Sequence, residues 1–184
     1  MAKQQKALLV MDMQISITGR YENSNSVISN IKKSILYARQ QEMVIIFVMV
    51  GFRQGMPEVS ANNKTFYASK QRIGNIDTSE LMKIHPELIP MPNDIVVTKH
   101  RFSAFSGSDL EMILRSLNIN SLILSGIATS GVVLSTLREA SDKDFVLTVL
   151  SDACTDTDVE IHNLLTTKIF PMQADVLLTE EWIK

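Results

Sequence analysis

A carboxylate, an ammonium and a strand-to-helix turn are the parts of this sequence best equipped for chemistry. Asp12 ends the apolar run 7–11, where a carboxylate is costly to desolvate and needs a partner. Lys99, at the end of another such run, can supply one. On residue types alone the pair reads equally as a structural ion pair and as an acid/base couple in a cleft. The third part, Gly126-Ile127-Ala128-Thr129-Ser130-Gly131-Val132-Val133, follows the apolar stretch 121–124 and opens into a helical pattern. N–H groups at such a helix N-terminus point into a crevice and can cradle an oxyanion or carboxylate. The turn has the shape of an active-site turn, yet an aliphatic Val132 stands where a nucleophile would be expected. With no nucleophile there, Asp12 is left to protonate a substrate carbon or oxygen, or to activate water. As an acid it faces a conflict: Lys99 lowers its pKa, and desolvation has to outweigh that effect.

Other side chains carry two readings each. Gln14, two residues past Asp12, is a substrate hydrogen-bonding group or a satisfied structural amide. Phe105 and Phe102 line a pocket or close a core. Ser130 is a substitute nucleophile or a helix cap. Arg53 is a carboxylate clamp or a solvated surface residue. Cys154, the only cysteine, excludes an intrachain disulfide; it reads as a small buried hydrophobe rather than a displaced nucleophile. His85, His100 and His162 lack ligand spacing, and no glycine-rich phosphate motif occurs, so neither metal nor cofactor is expected.

The elements that must position these groups follow from periodicity. Apolar runs of strand length fall at 7–11, 43–50, 95–97, 121–124, 145–150 and 175–178. Their near-continuous hydrophobicity implies six parallel strands buried on both faces. Val27, Ile28, Ile31, Ile35 and Ala38 repeat at helical spacing, as do Leu110, Ile113, Leu114 and Leu117. Ser108-Asp109-Leu110-Glu111 has capping-box form. The expected fold is a three-layer, doubly wound open α/β sheet with helices on both faces, in which ligands bind beyond the carboxyl ends of the strands. Asp12, Lys99, the turn 126–132 and the stretch 152–156 then share one edge. The long connection 51–92 reads as a functional lid with a short helix at 79–84, and Trp182 as packed on the body from a terminal helical turn.

Val10-Met11-Asp12-Met13-Gln14, Thr98-Lys99-His100-Arg101-Phe102-Ser103-Ala104-Phe105 and the turn 126–133 together resemble the isochorismatase-like (cysteine hydrolase) superfamily, over residues 7–178. The resemblance implies that Asp12, Lys99 and Val132 occupy the catalytic Asp, Lys and Cys positions, which puts the chain in a subgroup lacking the nucleophile. Relatives that hydrolyse amides need the thiol, whereas those that split the vinyl ether of isochorismate work without it. It also implies a non-proline cis peptide at Ile127-Ala128; with Ile127 and Ala128, the candidate substrate-contacting residues are Gln14, Arg53, Phe105 and Ser130. The amidase branch often carries an Asp-x-His cluster after the second strand, where Gly51-Phe52-Arg53 stands here. The implied function is hydrolysis of a small polar or anionic metabolite, with Asp12 as general acid. The alternatives are a hydrolase of different bond specificity and a catalytically silent scaffold that binds a metabolite or a protein.

Composition frames these readings. The chain has 184 residues, 45% hydrophobic and 21% charged, which suits one domain over 1–184. A net charge of −2 without a long basic cluster argues against nucleic acid or anionic membrane as the main partner. The longest apolar run, 43–50, is far short of the roughly 20 residues that span a bilayer. Asp12 interrupts any signal-peptide pattern, so a cytoplasmic protein is expected, acting on a small molecule and forming a homo-oligomer, dimer or tetramer.

Overall fold

The computed structural model describes residues 5–74 and 76–184. The apolar runs form β1 (Gln5–Met11), β2 (Val44–Val50), β3 (Ile95–Lys99), β4 (Ile119–Ile127), β5 (Val146–Thr155) and β6 (Asp175–Leu177). All pair in parallel in one sheet of order β3-β2-β1-β4-β5-β6. The order reverses between β1 and β4, where an open α/β sheet leaves a crevice.

Burial on both faces explains the unbroken apolar runs. Ala7, Leu9 and Met11 pack with Leu110 and Leu114 of α5 (Leu110–Ser116) and Leu137 of α6 (Leu134–Asp142). Leu8 and Val10 point to the opposite layer, against Val27, Ile28, Ile31 and Ile35 of α2 (Ser24–Gln40). Burying each of these side chains larger than alanine contributes about 1.5–3 kcal/mol. In the terminal helix α8 (Thr179–Trp182), Trp182 stands edge-on to Tyr37 of α2, with ring centroids 4.9 Å apart.

The local details depart from the sequence reading in three places. The capping box at Ser108 does not form: Asp109 is the N-cap residue, while Ser108 Oγ donates to Ala104 O and accepts from Leu110 N. β5 runs on through Thr155, because between the pairs Leu124–Val149 and Gly126–Cys154 it advances five residues while β4 advances two. That bulge keeps Asp152 inside the strand, where its carboxylate accepts from Thr179 N and Oγ1 and from Asn30 Nδ2. The connection 51–92 is structured, with α3 (Lys64–Ile73), α4 (Thr78–Leu81) and a 3-10 turn (Pro86–Leu88). It is stitched to the sheet edge by a bridge between Gln14 and Ile84. No helix among the described residues is long and apolar enough to cross a membrane.

Candidate functional site

Asp12 takes the first position beyond β1 with φ 55°, a left-handed conformation that costs a non-glycine residue about 1–2 kcal/mol and that Asp tolerates better than most. Its N–H still donates to Val48 O, so the chain turns only after the strand is complete. Lys99 pairs in register with Val50, and β2 lies between β3 and β1. Its side chain therefore crosses the end of β2 to place Nζ 2.9 Å from Asp12 Oδ2, with a second hydrogen bond to Arg101 O at 2.8 Å.

The pair is almost completely enclosed, with Lys99 1% and Asp12 7% exposed. Asp12 Oδ1 is buried and has no hydrogen-bond partner among the described residues. Burial raises the Asp12 carboxyl above the ordinary carboxylate range, and the opposing pull of Lys99 does not cancel it. A buried carboxyl with one oxygen on an ammonium and the other unpartnered is a group able to hold and release a proton.

Gly126 brings the turn against this pair. It has φ +126°, and a Cβ built on it would lie 2.0 Å from Met11 O, so only glycine admits the contact. Ile127-Ala128 is a cis peptide, as the resemblance implies. A π-helical turn, Thr129–Val133, follows, and Val132 is 1% exposed within the same apolar cluster as Ala104 and Phe105. Much of the expected N–H cradle is already engaged. Gly131 and Val133 N–H both donate to Ala128 O, and Ser130 N–H donates to Asp156 Oδ2 at 2.7 Å. The cap on this turn is thus the Asp156 carboxylate.

The remaining candidates are distributed differently. Gln14 is 1% exposed, donating to Val50 O and Leu81 O and accepting from Val50 N, which ties α4 to the sheet edge. Phe105 packs in the core beside Phe145. Arg53 pairs with Glu58 at 2.6 Å with its own side chain 74% exposed. Ser130 is exposed at the rim. Cys154 is buried, and burial pushes its thiol up to about 12. Among the described residues no three His, Cys, Asp or Glu side chains gather as metal ligands.

Two groups at this edge escape a reading from sequence. Thr129 Oγ1 lies 2.8 Å from His162 Nδ1, which α7 (Val159–Leu164) carries to the turn. Burial lowers the His162 pKa, and the nearby Asp156 carboxylate offsets part of that effect. Tyr21 is half-buried, and its phenol is raised by burial and by the neighbouring Asp156. Asp156 had a sequence signal in its place after the fifth apolar run; the helix packing that delivers His162 had none.

Residues 6–181 match the family model of the isochorismatase domain. The chain belongs to that family. Among solved structures, an isochorismatase family protein from Burkholderia thailandensis is 27% identical, with a TM-score of 0.84 over 96% of this chain and 93% of that one. A cysteine hydrolase from Pseudomonas syringae superposes with a TM-score of 0.87 at 21% identity, over 100% of this chain and 97% of its own. N-carbamoylsarcosine amidase from Thermoplasma acidophilum gives 0.74 at 21% identity, covering 96% and 98%. Within the isochorismatase fold, the open-sheet edge that bears Asp12 and Lys99 is also where the order of the strands reverses.

Proposed function

We propose that this isochorismatase-family protein is a hydrolase of a small polar or anionic metabolite that works without a cysteine nucleophile, with Asp12 as general acid. The observation that carries the reading is the Asp12 carboxyl itself: buried, raised, paired to Lys99 through Oδ2 and unpartnered at Oδ1. Vinyl ether hydrolysis is the chemistry that such a group serves best. Asp12 gives its proton to the terminal vinyl carbon, the ether oxygen stabilises the resulting cation, and water adds to it. As the water adds, one of its protons returns to Asp12 and a hemiketal forms; the hydroxyl proton of the hemiketal then passes to the departing ether oxygen as it collapses to a ketone and an alcohol. Lys99 holds the carboxylate left behind after the first step. Val132, an aliphatic side chain closed into the core, supplies no nucleophile of its own at the turn.

One observation favours a second reading. Asp12, Lys99 and Val132 are all nearly inaccessible, which also suits a silent scaffold that keeps the pair as a structural tie. A hydrolysis screen over vinyl ethers, isochorismate first, and over small esters and amides separates the two. Turnover by the native protein that falls by about 100-fold or more in Asp12→Asn is the result expected for a lost general acid; no turnover of any substrate favours the scaffold. A small-molecule substrate and a closed homo-oligomer belong to the same proposal, and light scattering at micromolar concentration tests the second.

A further inference from the structure

An isolated apolar side chain at the surface, such as Ile15 of α1 (Ile15–Thr18) or Met112 of α5, is ordinary. The outer face of α7 is different. From Val159 the chain stays helical through a π-helical turn (Leu165–Ile169) and a 3-10 turn (Phe170–Met172). The inner face is accounted for, since Leu165 and Phe170 enter the core and His162 meets Thr129. Val159, Ile161, Leu164 and Met172 are left at the surface, 63%, 41%, 56% and 74% exposed. Ile161, Leu164, Lys168 and Met172 follow one another at intervals of three, four and four residues, the spacing of a helical seam. The aliphatic stem of Lys168 continues the apolar surface between its neighbours.

The charges on this face say what covers it. Glu160 and Lys168 are both exposed, and neither has an ion-pair partner among the described residues. Two helical turns separate them, roughly 12 Å along the axis, too far for them to pair with each other. Leu164 lies midway between them in the sequence. A two-fold axis through Leu164 therefore sets Glu160 of each copy against Lys168 of the other, with the two Leu164 side chains in contact between them. Such self-complementarity is the condition for an isologous contact. A partner of a single charge sign would be repelled by one of the two residues.

We infer that the outer face of α7 seats a second copy of this chain, packed antiparallel across a two-fold axis at Leu164. The inference rests on the closed homo-oligomer proposed above and names the face that makes it. The same operation carries Met172 of each copy toward Val159 of the other, so the remaining exposed apolar side chains are covered too. Because α7 also delivers His162 to the turn, the contact braces the outside of a helix whose inside fixes the edge of the site.

Sedimentation velocity on the whole protein at micromolar concentration tests it, and the native chain is expected to associate. Glu160→Lys and Lys168→Glu each set like charges opposite one another at both ends of the contact, and each is expected to weaken association by about ten-fold or more. Glu160→Lys/Lys168→Glu exchanges the two signs and is expected to recover native association. Leu164→Arg places two cations on the axis and is expected to halve the mass of the assembly. Circular dichroism checks that the variants fold, and the charge reversals decide the matter even if Leu164→Arg does not. A native chain that stays monomeric overturns this inference together with the proposed oligomer. An oligomer that none of the variants weakens, or a double variant no stronger than the single ones, overturns the α7 contact and leaves the oligomer standing.

Discussion

The carbonyl oxygen of Met11 occupies the space that a Cβ on Gly126 would need, 2.0 Å from its ideal position. The contact joins the last residue of β1 to its register partner on β4, immediately before Asp12 on one strand and the cis peptide on the other. The spacing of the whole site is therefore set by one missing methyl group.

Gly126→Ala is expected to abolish folding or to lower the melting temperature severely, because the clash is with backbone that cannot swing away. Gly55 is the control: its φ is +76° and nothing lies within 4 Å of an added Cβ. Gly55→Ala should cost only the left-handed backbone penalty of about 1–2 kcal/mol. Thermal denaturation of the two variants in parallel checks the contrast, and similar melting points would refute it.

The thiol gives a second prediction. Because burial pushes Cys154 up to about 12, the thiolate is negligible at neutral pH. Intact-mass analysis after iodoacetamide at pH 7.5 should find the folded protein unlabelled, and the denatured protein labelled once. Whatever hydrolytic activity is found should survive that treatment. Rapid labelling of the native protein would mean that the thiol is neither buried nor inert.

How far the sequence could be read depended on where the information lay. Unbroken apolar runs announced the six strands, since a parallel sheet covered on both faces needs no polar alternation. α2 was legible because its buried residues repeat at helical spacing, whereas α3 buries only Phe66 and so left no periodic trace. The extension of β5 was hidden by Asp152, a polar residue that reads as strand end until its bonds to Thr179 and Asn30 are seen. Asp12 and Lys99 could be paired because each ends a strand in a fold whose strand ends share one edge. Thr129 and His162 could not, since their meeting depends on how α7 packs against the turn. The engagement of Gln14 with Val50 and Leu81 likewise depends on where the connection 51–92 lies.

His162 yields a prediction for stability against pH. Its folded pKa lies below the ordinary value, so the unfolded chain binds the proton more readily. The stabilisation is complete above the unfolded pKa, near 6.5, and is lost as pH falls toward the folded value. Melting temperature should therefore decline as pH is lowered from 7.5 through 6, and His162→Gln should show a shallower decline over that window. Parallel slopes for the two proteins would show that His162 does not titrate differently on folding.

The last prediction concerns Asp12 and Lys99 together. Asp12→Asn removes the transferable proton yet keeps an oxygen that can accept from Lys99 Nζ, so turnover should fall by about 100-fold or more with the fold retained. Lys99→Met acts in the opposite direction on the same carboxyl. Without the cation, burial meets less opposition and the Asp12 pKa rises further. A general acid is active in its protonated form, so the rate falls as pH rises through that pKa. The alkaline limb of the pH–rate profile should accordingly move to higher pH in Lys99→Met, even as the maximal rate drops for want of a group to hold the carboxylate. A base that activates water gives the reverse, with a rate that falls on the acid side and an acid limb that moves upward. The limb that shifts thus separates the two roles of Asp12, and a profile unchanged by Lys99→Met would remove the pair from the mechanism.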